Sequence, residues 1–98
     1  MPAIWTHGVW KVKPGREDEF VSAWRAMARE AMETFDPPGP PHLFRARDDP
    51  HIFRSFGPWN DAETVRRFRE SIKPHLERIQ ELTDDFDVYA LDEIGLDA

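Results

Sequence analysis

The chain has 98 residues, enough for one domain, and it carries a net charge of −6, four histidines and no cysteine. A negative chain without clustered cations is not expected to bind nucleic acid or an anionic membrane, and a chain without cysteine has no disulfide, thiolate nucleophile or cysteine-ligated metal. The histidines also lack the spacing of a metal site. We expect a single domain over residues 1–98 that binds small molecules or other protein chains.

The first predicted element is a strand over residues 4–12, with the sequence IWTHGVWKV. Side chains of a strand alternate between its two faces, and here both faces are apolar. The even face carries Ile4, Trp10 and Val12, and the odd face carries Trp5 and Val9. The apolar character lapses only in the middle, at Thr6, His7 and Gly8. The pattern predicts a strand that is buried on both sides around a polar centre.

An amphipathic helix is predicted after the break at Lys13-Pro14-Gly15. Its apolar residues recur every three or four positions, at Phe20, Trp24, Met27, Ala31 and Phe35. The acidic residues at 17–19 favour the positive end of the helix dipole. The helix is expected to end at DPPGPP, residues 36–41, because prolines and glycine deny the backbone both helical geometry and ladder donors.

The next two runs, residues 42–47 and 51–57, predict a hairpin with a tight turn at Asp48-Asp49-Pro50. The second of these strands is expected to stop at Gly57-Pro58, and Asn60 is the predicted N-cap of the helix that follows. The inward face of that helix is formed by Ala62, Val65, Phe68 and Ile72.

Pro74 is expected to begin a further short helix with Leu76 and Ile79 on its inward side. The last strand, DFDVYAL at residues 85–91, is again apolar on both faces. The order β-α-β-β-α-α-β predicts an α+β, ferredoxin-like fold with a four-stranded antiparallel sheet and the second helix broken in two. No window approaches the length needed to span a bilayer and no export leader is apparent, so a cytoplasmic location is expected.

The helices of such a fold cover only one face of the sheet. The other face, with Trp5, Val9, Tyr89 and Leu91 or their neighbours of opposite parity, would meet water in a monomer. A second identical chain is the economical cover, and a homodimer is therefore expected.

Three stretches resemble the antibiotic biosynthesis monooxygenase domain, a member of the dimeric α/β-barrel group. They are VWKVKPGREDEFVSAW, FGPWNDAETVRRFRES, and Pro74-His75 followed by the closing VYAL. The resemblance implies a dimeric barrel with a pocket between sheet and helices in each chain. It also implies, for some members, oxidation of aromatic polyketide quinols by dioxygen without a cofactor.

A second branch of that family binds and degrades heme. It uses an asparagine on the first strand, a tryptophan late in the second helix and a histidine on the third helix. This chain has Thr6, His7 and Gly8 on the strand and Phe68 in the helix, so that only His75 remains. Heme degradation is consequently disfavoured.

Two histidines are candidate bases. His7 lies in the apolar strand, where it could be a catalytic base in the pocket or a hydrogen-bonded residue of the dimer interface. His75, at the start of the third helix, could point into the pocket mouth or into solvent. If His7 faces the dimer, His75 becomes the better candidate. Gly8 is expected to make room on the pocket floor by its missing side chain.

Thr6, Trp24 and Phe68 are the candidate substrate-binding residues, because Trp24 and Phe68 face the sheet from two helices and Thr6 offers a polar group beside them. Trp59 is interpreted as a packing residue. The hairpin also carries three arginines, Arg45, Arg47 and Arg54. They could hold an anionic oxygen of a ligand but are expected to be solvated or paired with Asp48 and Asp49. His42 and His51 are expected to be exposed.

The function predicted from these residues and the resemblance is a cofactor-independent monooxygenase acting on a small hydroxyaromatic or quinol-type compound. A deprotonated quinol can give an electron to dioxygen unaided, so the protein would need only a dry aromatic pocket and a base. The alternative is a dimer that binds a small molecule without turning it over. A heme-handling protein, resting on His75 alone, is the third possibility. No cofactor or metal is expected.

Overall fold

A computed structural model describes residues 4–96 and shows one four-stranded antiparallel sheet with three helices. The elements in chain order are β1 (Ile4–Val12), α1 (Glu17–Phe35), β2 (His42–Arg45), β3 (Ile52–Trp59), α2 (Ala62–Ser71), α3 (Lys73–Leu82) and β4 (Thr83–Asp92). The strand order is β2-β3-β1-β4, with β1 in the centre between β3 and β4. The predicted ferredoxin-like fold is confirmed.

The core lies between the helices and one face of the sheet. The even-numbered residues of β1 point toward the helices, because Trp10 and Val12 are buried there. In β3, which pairs with β1, the odd-numbered residues point to the same side. The helices contribute the other buried apolar side chains: Phe20, Trp24, Met27 and Ala31 from α1, Val65 and Phe68 from α2, and Ile79 and Leu82 from α3. The amphipathic faces predicted for the helices are therefore the faces that pack on the sheet.

The boundaries of α1 follow from local chemistry. Gly15 takes a positive φ of 85° in the turn before it, a conformation that glycine adopts without steric penalty. The first turn is acidic, as expected for the positive end of the helix dipole. The helix ends where Asp36 adopts the left-handed conformation with φ of 45°, immediately before the proline-rich loop.

Two predicted boundaries were wrong in β3 and α2. β3 continues through Gly57 and Pro58 to Trp59. Because β2 pairs with β3 only as far as Phe56, the strand has a neighbour on one side at Pro58, where the missing proline N–H is tolerated. The N-cap of α2 is Asp61 rather than Asn60: its Oδ1 accepts hydrogen bonds from the Thr64 amide and hydroxyl, both at 2.7 Å.

The last strand is longer than its sequence pattern predicted. α3 runs directly into β4 at Thr83, which pairs with Val12 after an irregularity in the ladder near Lys11. The Thr83 hydroxyl donates to the Ile79 carbonyl at 3.0 Å, so it stays bonded although it is buried. Across residues 4–96, no helix combines the length and the apolar character that crossing a membrane requires.

Candidate functional site

A narrow apolar cavity of about 50 Å³ lies between the sheet and helices α1 and α2. Its floor comes from β1 and β3, its walls from the two helices and its rim from the proline-rich loop. The side chains used below are Thr6, Trp10, Trp24, Ser55, Trp59 and Phe68. The volume is small compared with the roughly 300–1,000 Å³ of typical ligand sites, and three indole rings are among the side chains that line it.

Two hydroxyl groups on the floor each accept a hydrogen bond from an indole. Trp59 Nε1 donates to Thr6 Oγ1 at 2.9 Å, and Trp10 Nε1 donates to Ser55 Oγ at 3.0 Å. These bonds satisfy the polar edges of two buried tryptophans, which are 4% and 2% exposed. They also fix the orientation of both indoles.

The same floor contains two glycines, each of which lies opposite one of the hydroxyl residues on the paired strand. In the antiparallel register Thr6 lies opposite Gly57, and Gly8 lies opposite Ser55. A Cβ atom on Gly8 would come within 2.5 Å of three atoms of the Trp10 indole. Gly8 thus lies on the cavity floor as predicted, but the Trp10 indole occupies the space that its missing side chain leaves.

Gly57 is different, because the nearest atoms to an added Cβ would be Pro41 Cβ at 3.4 Å and Thr6 Oγ1 at 3.5 Å. These are close to ordinary contact distances. The absence of a side chain at Gly57 thus leaves open floor beside the Thr6 hydroxyl.

The wall on the α2 side is aromatic. The rings of Trp59 and Phe68 lie 4.5 Å apart, and Phe35 meets both edge-on at 6.1 Å. Arg67 lies over the outer side of the Phe35 ring at 5.8 Å. This cluster holds Phe68 and Trp59 in place as flat surfaces against the cavity.

Trp24, on the α1 side, is buried but is not tied to the floor by a hydrogen bond. Within residues 4–96 its indole Nε1 has no hydrogen-bond partner, whereas Trp10 and Trp59 are both tied to the floor. Of the three indoles that narrow the cavity, Trp24 is the one whose movement would break no hydrogen bond to a described residue.

The rim is formed by the proline-rich loop, which packs on the end of β3. Pro37, Gly39 and Pro41 all line the cavity. Asn60 Nδ2 donates to the Asp36 carbonyl at 3.4 Å, which ties the start of the loop to the residue after β3. The loop therefore covers part of the cavity opening.

No ionisable side chain is part of the described cavity lining. The polar atoms available to a ligand there are hydroxyl and indole groups. Such a site can exclude water, stack on a ring and donate hydrogen bonds, but it offers no group to take up a proton.

His7 lies on the opposite, helix-free face of the sheet. Its ring stacks on Phe56 at 4.4 Å with an interplanar angle of 6°, and Tyr89 lies 5.9 Å away. Its Nε2 is buried and has no hydrogen-bond partner among the described residues. Burial, and secondarily the positive charge of Arg54, hold the pKa of His7 below its ordinary value of 6.5. His7 therefore does not line the cavity, and its place in a dimer interface stays a prediction.

His75 does not lie at the pocket mouth either. Its Nε2 is 3.2 Å from Glu30 Oε2, and it lies on the outer surface of α1 and α3 beside Arg78. The cavity that contains Thr6, Trp24 and Phe68 is lined by neither candidate base. The heme-handling alternative rests on His75 alone, and this residue does not line the cavity.

The remaining candidates lie away from the cavity. His51 is not free in solvent, because its Nδ1 lies 2.7 Å from Glu17 Oε2. Hydrogen bonds, first from the backbone and then from His51, lower the pKa of Glu17. Arg45 stacks over Phe53 at 4.8 Å, and residues 4–96 contain no ion pair between the hairpin arginines and Asp48 or Asp49. No metal-binding group of three or more ligands occurs in the described part of the chain.

The sequence therefore placed Thr6, Trp24 and Phe68 in one site but did not assign Trp10, Ser55 and Trp59 to it. Ser55 was missed because a serine in a half-buried strand has no motif that marks it. Trp59 was interpreted as packing alone, although it both packs and lines the cavity. The signal available for both was register, since they share the face of Thr6 in the paired strands.

The chain was compared with known families and structures. The model of the family described as antibiotic biosynthesis monooxygenase matches residues 4–82. No functionally curated protein matches the sequence. Solved structures that match include a conserved protein from Methanosarcina mazei Go1, with 18% identity, a TM-score of 0.82 and coverage of 93% of this chain and 92% of that one.

SnoaB, a cofactor-independent oxygenase from Streptomyces nogalater, matches with 19% identity, a TM-score of 0.79 and coverage of 91% and 90%. A protein from Pseudomonas aeruginosa matches with 16% identity, a TM-score of 0.75 and coverage of 97% of both chains. Identities this low show a shared fold. Because the family model spans most of the sequence, the chain belongs to the antibiotic biosynthesis monooxygenase family.

Proposed function

We propose that this protein is a cofactor-independent monooxygenase of a small hydroxyaromatic or quinol-type compound, which binds in the cavity between sheet and helices. The observation that carries the proposal is the composition of that cavity: aromatic walls from Trp24, Trp59 and Phe68, two hydroxyl groups on the floor, and no charged side chain in the described lining. Flat aromatic ligands stack on such walls, and a dry site favours reaction of an electron-rich ring with dioxygen over loss of its intermediates to water.

The substrate has to displace a wall of the cavity, whose volume is about 50 Å³. We propose that Trp24 moves, because its indole is not tied to the floor by a hydrogen bond. Trp59 and Phe68 then serve as the fixed face on which the ring stacks.

Proton removal is proposed to occur without a histidine in the cavity. The catalytic roles predicted for His7 and His75 receive no support from their positions, on the helix-free sheet face and the outer helix surface. A substrate hydroxyl would give its proton to a buffer base in solvent, the anion would then enter, and the floor hydroxyl groups would donate hydrogen bonds to its oxygen.

The protein is also proposed to act as a homodimer through the helix-free sheet face. That face exposes Phe44, Tyr89 and Leu91, which are 55%, 47% and 40% accessible, beside the stacked His7 and Phe56. An apolar surface of this kind on a small domain favours burial against a second copy. The cavity opens on the other side of the sheet and is left free by such a dimer.

Oxygen uptake tests the proposed activity. A panel of quinols and hydroxynaphthalenes is assayed with an oxygen electrode in the presence of a chelator, against each compound's own rate of autoxidation. We expect at least one compound to be consumed faster with protein, with one atom of ¹⁸O₂ entering the product. Uptake equal to autoxidation across the panel would reject the proposal.

A matched pair of variants tests whether the activity takes place in the cavity. Ala28 lies at the edge of the cavity and Ala26 on the exposed outer face of the same helix. Ala28→Phe should block entry and lower the rate, whereas Ala26→Phe should leave the rate unchanged. Equal rates in both variants would place the reaction elsewhere.

The non-catalytic alternative is favoured by one observation, the lack of an ionisable group in the described cavity lining. If the protein binds a hydroxyaromatic compound stoichiometrically while oxygen uptake stays at the autoxidation rate, this second function replaces the first.

A further inference from the structure

A groove on the outer side of α1 adjoins the opening of the cavity. It is lined by Arg25, Ala28, Arg29, Met32, Glu33 and Pro41. Ala28 and Pro41 also line the cavity, so the two spaces meet between α1 and the proline-rich loop. The cavity has a volume of about 50 Å³, whereas the groove has about 310 Å³ and is open to solvent. A part of a ligand that does not fit in the cavity would therefore lie in the groove.

Two arginines of the groove lack a charged partner. Arg25 and Arg29 are exposed, and within residues 4–96 neither of them forms an ion pair. Arg66 and Arg78, on the other two helices, are each paired with two glutamates. The guanidinium groups of Arg25 and Arg29 are therefore available to bind an anion.

The spacing of the two arginines places them on one face of α1. Residues four positions apart on a helix are neighbours, with Cβ atoms about 5–6 Å from each other. Two like charges at this spacing slightly destabilise the helix. An anion between Arg25 and Arg29 would remove that repulsion and would accept hydrogen bonds from both side chains, because each guanidinium presents a planar fork of donors.

The acidic residues nearby do not cancel this positive charge. Glu33 lines the groove four residues after Arg29, but the two side chains form no ion pair. Glu30 is turned away from the groove, and its Oε2 lies 3.2 Å from His75 Nε2. The described lining of the groove thus carries two positive charges and one negative charge, on a chain whose net charge is −6. The mouth of the cavity is locally positive in a negative protein.

The cavity and the groove offer a ligand different interactions. The described cavity lining has hydroxyl and indole groups but no cation, whereas the groove has two guanidinium groups. Guanidinium and carboxylate match in geometry, since both are planar and two parallel N–H···O bonds can form between them. A ligand with a ring in the cavity and a carboxylate in the groove would use both sets of interactions.

We propose that Arg25 and Arg29 form an anion-binding groove at the cavity mouth, which binds the carboxylate of a ligand whose ring occupies the cavity. This inference rests on the proposed function for the location of the ring. It makes the two arginines specificity-determining residues, which favour carboxylated compounds over uncharged ones of the same shape. Because they lie outside the cavity lining, they take no part in the chemical step.

The test uses 2-naphthoate, which has a ring and a carboxylate, and 2-naphthamide, which has nearly the same shape without the charge. Binding of each compound is measured by isothermal titration calorimetry at low and at high salt. We expect naphthoate to bind about tenfold more tightly than naphthamide at low salt, as for two partly exposed charge pairs. The preference should shrink at high salt, because salt screens exposed charges.

Two results with the wild type would overturn the proposal, namely equal affinities for the two compounds or no binding of either. The position of the ring is checked with Ala28→Phe, which narrows the opening that the cavity and the groove share. This variant should bind both compounds more weakly. Naphthoate binding that is unchanged in Ala28→Phe would show that the carboxylate binds without the ring in the cavity, and would also reject the proposal.

Charge variants on the helix surface test the arginines themselves. Arg25→Gln and Arg29→Gln should each weaken naphthoate binding about threefold and leave naphthamide binding unchanged. Glu33→Gln, which removes the negative charge of the described groove lining, should strengthen naphthoate binding. Arg69→Gln is the matched control, because Arg69 is exposed on α2, forms no ion pair within residues 4–96 and does not line the groove. Unchanged naphthoate affinity in the Arg25→Gln, Arg29→Gln double variant would refute the role of the arginines.

The outcomes distinguish this proposal from the proposed activity. Arginine-dependent binding of naphthoate without oxygen uptake on any quinol would leave the anion-binding groove standing and reject the oxygenase. Oxygen uptake on uncharged quinols, with no preference for naphthoate over naphthamide, would support the oxygenase and reject the groove.

Discussion

Gly8 provides the sharpest test of how the cavity floor is built. In Gly8→Ala the new methyl group would lie 2.5 Å from three atoms of the Trp10 indole, a distance that nonbonded carbon atoms do not tolerate. Trp10 is 2% exposed, its ring stacks on Phe86 at 5.2 Å and the tilted ring of Phe20 lies 5.8 Å away, so the indole has little room to move.

The expected loss can be estimated from three contributions. Overpacking a core costs about 1–3 kcal/mol, and displacing the indole from Ser55 costs about 1 kcal/mol more. Replacing glycine by alanine in an extended strand returns roughly 0.5–1 kcal/mol through the entropy of the unfolded chain. We expect Gly8→Ala to lower the free energy of unfolding by about 1–3 kcal/mol, which is a fall in Tm of roughly 5–20 °C for a domain of this size.

The assay is urea or thermal unfolding at one fixed protein concentration, with Gly57→Ala as the matched control. An alanine there makes contacts of 3.4 and 3.5 Å, and its stability should stay within about 0.5–1 kcal/mol of the wild type. The methyl group would nevertheless cover the floor beside Thr6, so ligand binding should weaken in a folded protein. Equal stability of Gly8→Ala and wild type would refute the placement of the indole over Gly8.

Three further predictions concern the cap, the buried histidine and the dimer. Asp61→Ala should lower the Tm of the protein more than Asn60→Ala does in thermal unfolding, because only the Asp61 carboxylate caps α2; equal effects would reject the revised cap. His7 has a lowered pKa in the folded state, so folding favours its neutral form: its contribution to stability is present above pH 6.5 and is lost as the pH falls through the folded-state pKa. His7→Phe should therefore lose less stability than the wild type between pH 7.5 and pH 5, as measured by urea unfolding, and an identical pH dependence of both proteins would contradict this. In sedimentation at micromolar concentration the wild type should have twice the chain mass of 11.5 kDa, Val9→Lys on the helix-free face should shift toward the monomer, and Ser22→Lys on the outer helix surface should not; a monomeric wild type would reject the dimer.

The sequence determined much of the fold because helices and turns have local signals. The spacing of Phe20, Trp24 and Met27 predicts the buried face of α1, and the prolines after Asp36 predict where it ends. The extent of pairing between neighbouring strands was harder to predict from the sequence. The end of β3 at Trp59 depends on how far the short β2 extends, and no local signal reports the length of a neighbouring strand.

The site was harder to predict, because β1 is apolar on both faces. Periodicity shows that Thr6 and His7 point to opposite sides but not which side meets the helices. The structure settles this by burying Trp10 and Val12 under the helices, which places Thr6 in the cavity and His7 on the other face.

His75 illustrates the corresponding limit for helices. A residue beside Pro74 at a helix start can point inward or outward, and the outcome depends on α1. Here Glu30 of α1 lies 3.2 Å from the ring, and the histidine stays on the outer surface. A contact between residues 45 positions apart has no pattern in a single sequence.

The central claim is that a ligand binds in the cavity on the helix side of the sheet. A crystal structure of the protein with a quinol or hydroxynaphthalene tests it most directly. We expect the ring between Trp24 and Phe68, with Trp24 displaced and an oxygen of the ring about 2.7–3.0 Å from the hydroxyl oxygen of Thr6 or Ser55. A ligand lying against His7 and Phe56 on the other face, with Trp24 and the cavity unchanged, would contradict the claim.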